Sequence, residues 1–169
     1  MHKVPFVSQH SYAFHKVACG VAATMMLLKF HFRRKRVPSY RDLRKALGVD
    51  VLPSESGRRD AVQGVETEDV TRYFRQRGIS YRATDHNTIT TRATLRRRLR
   101  QAPLMVGMGK KEWRWGKSGH WIVLIDMDED TVTYLDPGFP RKHKRPSRLP
   151  LRDFRRQWDG VSIQIGQSR

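Results

Sequence analysis

The stretch HWIVLIDMDEDTVTYLD, residues 120–136, decides how this chain folds. Residues 120–126 form a continuous apolar run, the pattern of a central strand buried on both faces. DED at 128–130 makes a turn, and TVTYLD at 131–136 returns until Pro137-Gly138 ends it. The pattern predicts an antiparallel hairpin. If its turn centres on residue 128, His120 and Asp136 lie nearly side by side at one end of the sheet. A carboxylate then comes within reach of an imidazole.

Upstream of the hairpin, the chain reads mainly as helices. VPFVSQ at 4–9 is a short strand or an extended arm. Residues 19–33 are a helix apolar on most sides, as a buried central helix must be. A second helix opens at Ser39, a plausible N-cap, with Leu43, Ala46 and Leu47 on one face. Residues 51–64 are a loop. Residues 66–78 are a third helix, capped by Thr67 and ended by Gly78. ISYRAT at 79–84 is a short strand. TRATLRRRLRQA at 91–102 is a fourth helix, basic on its exposed face. PLMVGM at 103–108 is a strand, and 109–119 is a glycine-bounded loop.

Downstream, a basic loop leads to a short helix at 151–160 and a last strand, VSIQI, at 161–165. The fold class is α+β. Helices lead, and an antiparallel sheet follows. No internal repeat or linker divides the chain, so residues 1–169 are expected to form a single domain.

Composition narrows the function classes. With 169 residues, 38% hydrophobic and 30% charged, the chain can build one sizeable core. No apolar run approaches the roughly 20 residues that span a bilayer. MHKVPFVSQH at the N-terminus lacks the apolar centre of a secretion signal, so a cytoplasmic protein is expected. Delivery into a target cell without a cleaved signal would leave no such trace. One cysteine excludes an internal disulfide and a four-cysteine zinc site. His10 and His15 lack carboxylate or cysteine partners at ligand spacing, so no metal site is expected.

The net charge is +18 and the pI about 11.0. Such a surface attracts nucleic acid, an anionic membrane or an acidic protein, or is a solvated face selected for solubility or delivery. The basic residues are scattered over 33–36, 95–100, 141–145 and 152–156. They form no single recognition helix, and zinc-finger and Walker spacings are absent.

The one cysteine stands at the mouth of the apolar helix, in KVACGVAATMMLLKF at 16–30. Unpaired amide N–H groups and the helix dipole favour a thiolate there, and the thiolate is the nucleophile. Gly20 lets a substrate approach the backbone. Taken alone, a lone cysteine is more often a buried, inert thiol. His120 and Asp136 change that balance. A thiolate needs a histidine as base, and the histidine needs an orienting partner. Gly119 leaves room beside the His120 ring. Separately, His120 is an ordinary strand-end histidine and Asp136 an ordinary turn residue. Gln9, ten positions before Cys19, carries an amide suited to an oxyanion, although a surface glutamine reads the same way. Trp113 and Trp115 precede His120 and either wall a substrate cleft or pack their loop onto the sheet. Trp121 follows it and is a further candidate for substrate contact.

Val-Pro, Gln9, Cys19-Gly20 opening an apolar helix, Gly119-His120 and Asp136-Pro137 together resemble the papain-like cysteine peptidases that process bacteriocins, the double-glycine leader peptidases. The resemblance covers nearly the whole chain. It implies a papain-like fold, with a central catalytic helix packed on an antiparallel sheet. It implies Cys19 as nucleophile, His120 as general base, Asp136 as orienting residue and Gln9 as oxyanion donor, with no cofactor. It also implies a protein or peptide substrate, cut after small residues such as Gly-Gly. The chain carries no exporter, so it resembles the stand-alone members. Some of these are processing proteases and others toxins delivered into rival bacteria, for which an immunity protein is the expected partner. The same three residues also suit amide transfer or deamidation. A basic nucleic-acid-binding module with a structural cysteine is the alternative outside enzymes.

Overall fold

A computed structural model describes residues 1–11, 18–33, 37–49, 64–85, 91–109, 119–140 and 145–166. The chain starts as an extended arm that makes a 3-10 turn at Gln9–Ser11. Helix α1 spans Cys19–His31, and every residue from Cys19 to Leu28 is buried. A helix that is apolar all round has no face to give to water, so it runs through the core.

Helix α2 is Tyr40–Ala46, and the Ser39 hydroxyl caps it by accepting from the Asp42 N–H at 3.1 Å. Helix α3 is Thr67–Gln76. Its cap is Glu66 rather than the expected Thr67, because the Asp69 carboxylate reaches back to the Glu66 N–H at 3.0 Å. Gly78, at φ 63°, turns the chain out of the helix. Strand β1, Tyr81–Thr84, follows, then α4 at Arg92–Gln101, with the Thr91 hydroxyl accepting from the Thr94 N–H.

Strands β2 (Leu104–Met108), β3 (His120–Met127), β4 (Thr131–Leu135) and β5 (Ser147–Pro150) come next. Helix α5 (Leu151–Gln157) and strand β6 (Trp158–Ile165) complete the fold. Two differences from expectation exceed the usual fraying of element ends. Strand β5 was hidden in a stretch rich in Arg and Pro, which an edge strand tolerates because only one side of it is paired. The last helix stops at Gln157 rather than residue 160. Trp158 already pairs with Met108, across an irregularity in the ladder, and Gly160 sits at φ 95°.

The six strands form one antiparallel sheet in the order β1-β6-β2-β3-β4-β5. On β3, Trp121, Val123 and Ile125 pack in the core that contains α1, α2 and α3. Ile122 and Leu124 pack in a second core with Leu95 and Leu99 of α4 and Leu151 and Phe154 of α5. Both faces of the strand are therefore covered, which is what its unbroken apolar run requires. Arg98 ties α4 to β6. It is 7% exposed, and its Nη1 donates to the Ser162 hydroxyl at 2.9 Å. Gln164 donates back to the carbonyls of Arg98 and Ala102, each at 2.8 Å.

The hairpin's register differs from expectation by two residues. Met127 pairs with Val132, so the turn centres between Glu129 and Asp130 rather than on Asp128. The Asp128 carboxylate builds that turn by accepting from the N–H groups of Asp130 and Thr131 at 3.0 and 2.8 Å. A bulge at Ile125 recovers one residue, and Val123 pairs with Leu135. On the His120 side of the bulge the displacement is even, which keeps those side chains on their expected faces.

Candidate active site

The catalytic candidates converge where the N-terminus of α1 meets the β3 end of the hairpin. Cys19 is the first residue of α1 and is 8% exposed. The residue before it, Ala18, has no polar side chain with which to cap the helix. The first amide N–H groups of α1 are thus left for a negative charge at the sulfur or at a substrate oxygen.

His120 and Asp136 are both buried, and Nε2–H of His120 donates to Oδ1 of Asp136 at 2.7 Å. With Nε2 so engaged, Nδ1 is the ring nitrogen that remains for the thiol. Burial by itself would lower the His120 pKa. Hydrogen bonds to Asp136 and to Cys19, with the charges of both, outweigh it and raise the pKa from 6.5 to about 9. The imidazole therefore stands between a thiol and a carboxylate, each of which stabilises its protonated form.

Asp136 is fixed from a second side. Its Oδ1 also accepts the Gly138 N–H at 2.7 Å, and the Phe139 N–H bonds the Asp136 carbonyl at 3.1 Å. That turn is locked to the N-terminal arm. The Gln9 N–H donates to Pro137 O at 2.9 Å, the Ser8 hydroxyl to Phe139 O at 2.6 Å, and a His10 ring nitrogen bonds Gly138 O at 2.6 Å. The 3-10 turn also contacts α1. Gln9 is 9% exposed, and its Oε1 is buried without a hydrogen-bond partner among the described residues. The arm thus brings Gln9 to the junction of α1 and the Asp136 turn.

The sequence matches the Peptidase_C39 like family over residues 1–165. The chain belongs to this family of cysteine peptidases. A comparison with curated proteins returns no match. Among solved structures the chain is similar to a C39-like peptidase from Bacillus anthracis. The two are 16% identical with a TM-score of 0.69, over 100% of this chain and 98% of that one. It is also similar to the peptidase domain of Streptococcus ComA, a bifunctional ABC transporter of a quorum-sensing pathway. Here identity is 16% and the TM-score 0.66, over 99% of this chain and 100% of that one. A third similar structure is a double-glycine-motif protease from an AMS/PCAT transporter, in complex with the leader peptide. It is 18% identical with a TM-score of 0.63, over 99% of this chain and 94% of that one. These likenesses establish the fold as papain-like α+β.

Other sequence candidates fall differently within the C39-like fold. Gly20 packs closely against other segments of the chain. A Cβ there would lie 2.5 Å from Val65 Cβ and 3.1 Å from Trp121 Cδ1, so the glycine makes room for neighbouring side chains. Trp121 is buried against it, with its indole N–H donating to Val65 O at 2.7 Å. Its position makes it a wall of the core beside Cys19. Gly119 is exposed, and no other described residue comes within 4 Å of where its Cβ would stand. Trp113, Trp115 and His15 lie outside the described residues.

In the sequence Gly138 reads only as a strand stop. A Cβ at this position would stand 2.9 Å from Asp136 Oδ1 and 3.5 and 3.6 Å from Cε1 and Nε2 of His120. No sequence signal separates this glycine from an ordinary Pro-Gly turn. Its role appears only when the turn is folded over the imidazole.

Proposed function

We propose that the chain hydrolyses a peptide bond after small residues such as Gly-Gly, with Cys19, His120 and Asp136 as its reacting machinery. The observation that carries this reading is the buried His120–Asp136 pair, with an imidazole whose pKa Cys19 helps to raise. Membership of the peptidase family over 1–165 supports it. The leader peptide bound to the AMS/PCAT protease supports a peptide segment as the substrate class.

In this mechanism the Cys19 sulfur attacks the carbonyl carbon of the scissile bond. Negative charge moves onto the carbonyl oxygen, where the amide N–H groups at the start of α1 and the Gln9 carboxamide stabilise it. The His120 imidazolium gives its Nδ1 proton to the leaving nitrogen as the C–N bond breaks. A thioester on Cys19 remains. Water then attacks that thioester and loses a proton to His120, and the carboxylic acid product leaves. Asp136 keeps the ring oriented and stabilises its charged form.

The test is a survey of new protein N-termini in a bacterial lysate treated with the intact chain or with Cys19→Ala. New termini preceded by Gly-Gly or another small pair, made by the intact chain alone, are expected. The same termini from both proteins would reject the reading.

A further inference from the structure

The layer of the fold opposite α1 carries an arginine surface that the peptidase chemistry does not use. Helices α4 and α5 both bury apolar residues in the second core, and their outward residues are overwhelmingly basic. Exposed or half-exposed arginines are Arg92, Arg96, Arg97 and Arg100 on α4, and Arg152, Arg155 and Arg156 on α5. Against these seven, the two helices hold one carboxylate, Asp153, and it accepts from Arg152 Nε at 3.4 Å. Neither helix contains a lysine.

The two sets meet. Arg92 from α4 and Arg152, Arg155 and Arg156 from α5 line one shallow concavity of about 620 Å³, together with Glu129, Asp130, Pro150 and Leu151. Arg92 donates to the Glu129 carbonyl oxygen there, which fixes the start of α4 beside the hairpin turn. The neighbouring Asp128 is paired with Arg148 at 2.6 Å. Arg96 and Arg100 continue from Arg92 at four-residue spacing, so the three form one stripe along α4.

We infer that this face is a docking surface for double-stranded nucleic acid, held through its phosphates. Arginine presents a planar fork that matches phosphate oxygens in pairs, whereas lysine offers a point charge. A protein partner or a membrane surface would call for apolar or aromatic anchors. The outward faces of α4 and α5 carry no large exposed apolar side chain: Leu95, Leu99, Leu151 and Phe154 are buried, Leu151 reaching only the floor of the concavity, and among all described residues Met1 is the large apolar side chain left exposed. Single strands are held by stacking on exposed aromatic rings, of which this face has none among the described residues. Contacts to phosphate alone carry no sequence information, so binding is indifferent to base sequence. The surface lies on the side of the sheet away from Cys19 and can hold a duplex while the thiol stays accessible.

Fluorescence anisotropy with a labelled duplex of random sequence tests this, on the full chain and with Cys19→Ala to keep the peptidase silent. Engagement of about four phosphates predicts a log Kd against log salt slope of roughly 3 to 4. The triple variant Arg152→Glu, Arg155→Glu, Arg156→Glu should weaken binding at least tenfold and flatten that slope. The milder Arg152→Gln, Arg155→Gln, Arg156→Gln set should act in the same direction, in case charge reversal disturbs α5. Equal charge reversal on the α1 side, with Arg41→Glu, Lys45→Glu and Arg75→Glu, should change binding less than threefold. Cleavage of a short uncharged peptide should be unchanged in all three variants. Equal weakening by the two reversal sets would overturn the inference, because the charge would then act diffusely. So would tighter binding of a single strand, or of anionic phospholipid vesicles, than of the duplex at the same salt.

Discussion

His120 and Asp136 meet at 2.7 Å, although the ladder of their strands ends earlier, at the pair Val123 and Leu135. The contact forms beyond the last paired residues, where the chain after β4 turns over the imidazole. It depends on the small residue between them. In Gly138→Ala the added methyl would stand 2.9 Å from Asp136 Oδ1, and the carboxylate itself would have to give way. Displacements of about 1 Å in such constellations cost up to ~100-fold in rate. We expect Gly138→Ala to lower kcat by about 10-fold or more with a normal circular dichroism spectrum. Parent-level kcat would show that the turn does not hold the pair.

Asp136→Asn separates orientation from charge. The amide oxygen can still accept from His120, but the negative charge that helps to raise the His120 pKa is gone. The variant should retain more activity than His120→Ala, which removes the base altogether. Its alkaline limb should also move. In the parent, activity should fall as the pH rises through about 9, where the imidazolium loses its proton, and in Asp136→Asn the fall should begin at lower pH. Identical pH profiles would return Asp136 to the role of a turn residue.

The same pKa bears on stability. His120 binds its proton more tightly folded than unfolded, with a pKa of about 9 against 6.5. Its contribution is fully present below pH 6.5 and is lost as the pH rises through about 9, and it amounts to roughly 3 kcal/mol at most. Urea unfolding of the parent and of His120→Gln should show the parent's advantage shrinking across that window. An advantage that grows with pH would contradict the sign.

Gly20→Ala tests packing rather than chemistry. The new methyl would meet Val65 Cβ at 2.5 Å and press on Trp121. Overpacking of this kind costs about 1–3 kcal/mol. A matching fall in the urea midpoint, with quenching or shift of Trp121 fluorescence, is expected. An unchanged midpoint would mean that Val65 moves aside freely.

Much of the site was legible because its parts sit at element ends, where sequence punctuation is strongest. The apolar run from Val21 to Leu28 announced a buried helix with Cys19 at its mouth. The run ending at Asp126 announced a central strand headed by His120. The detail of their meeting was not legible. A turn centred on residue 128 would set Asp136 opposite His120, but the Asp128 turn and the Ile125 bulge set the register instead. On the His120 side of the bulge the displacement is even, so the expected faces stand although the register does not. Strand β5 was missed because an edge strand needs only one paired side, and its Arg and Pro read as loop. The packing around Gly20 and Gly138 was not legible, because a glycine's neighbours come from distant segments, here Val65 and His120.

The central claim is that Cys19 is a nucleophile activated by its surroundings rather than a buried, inert thiol. The most direct measurement is its rate of alkylation by a Gly-Gly chloromethyl ketone at pH 7, mapped by mass spectrometry in the native chain, in urea, and in His120→Ala. The account predicts one equivalent on Cys19, added at least tenfold faster in the native chain than in the unfolded one, with that advantage lost in His120→Ala. Slower labelling of the native chain than of the unfolded chain would contradict it, because 8% exposure would then be shielding the sulfur rather than arming it.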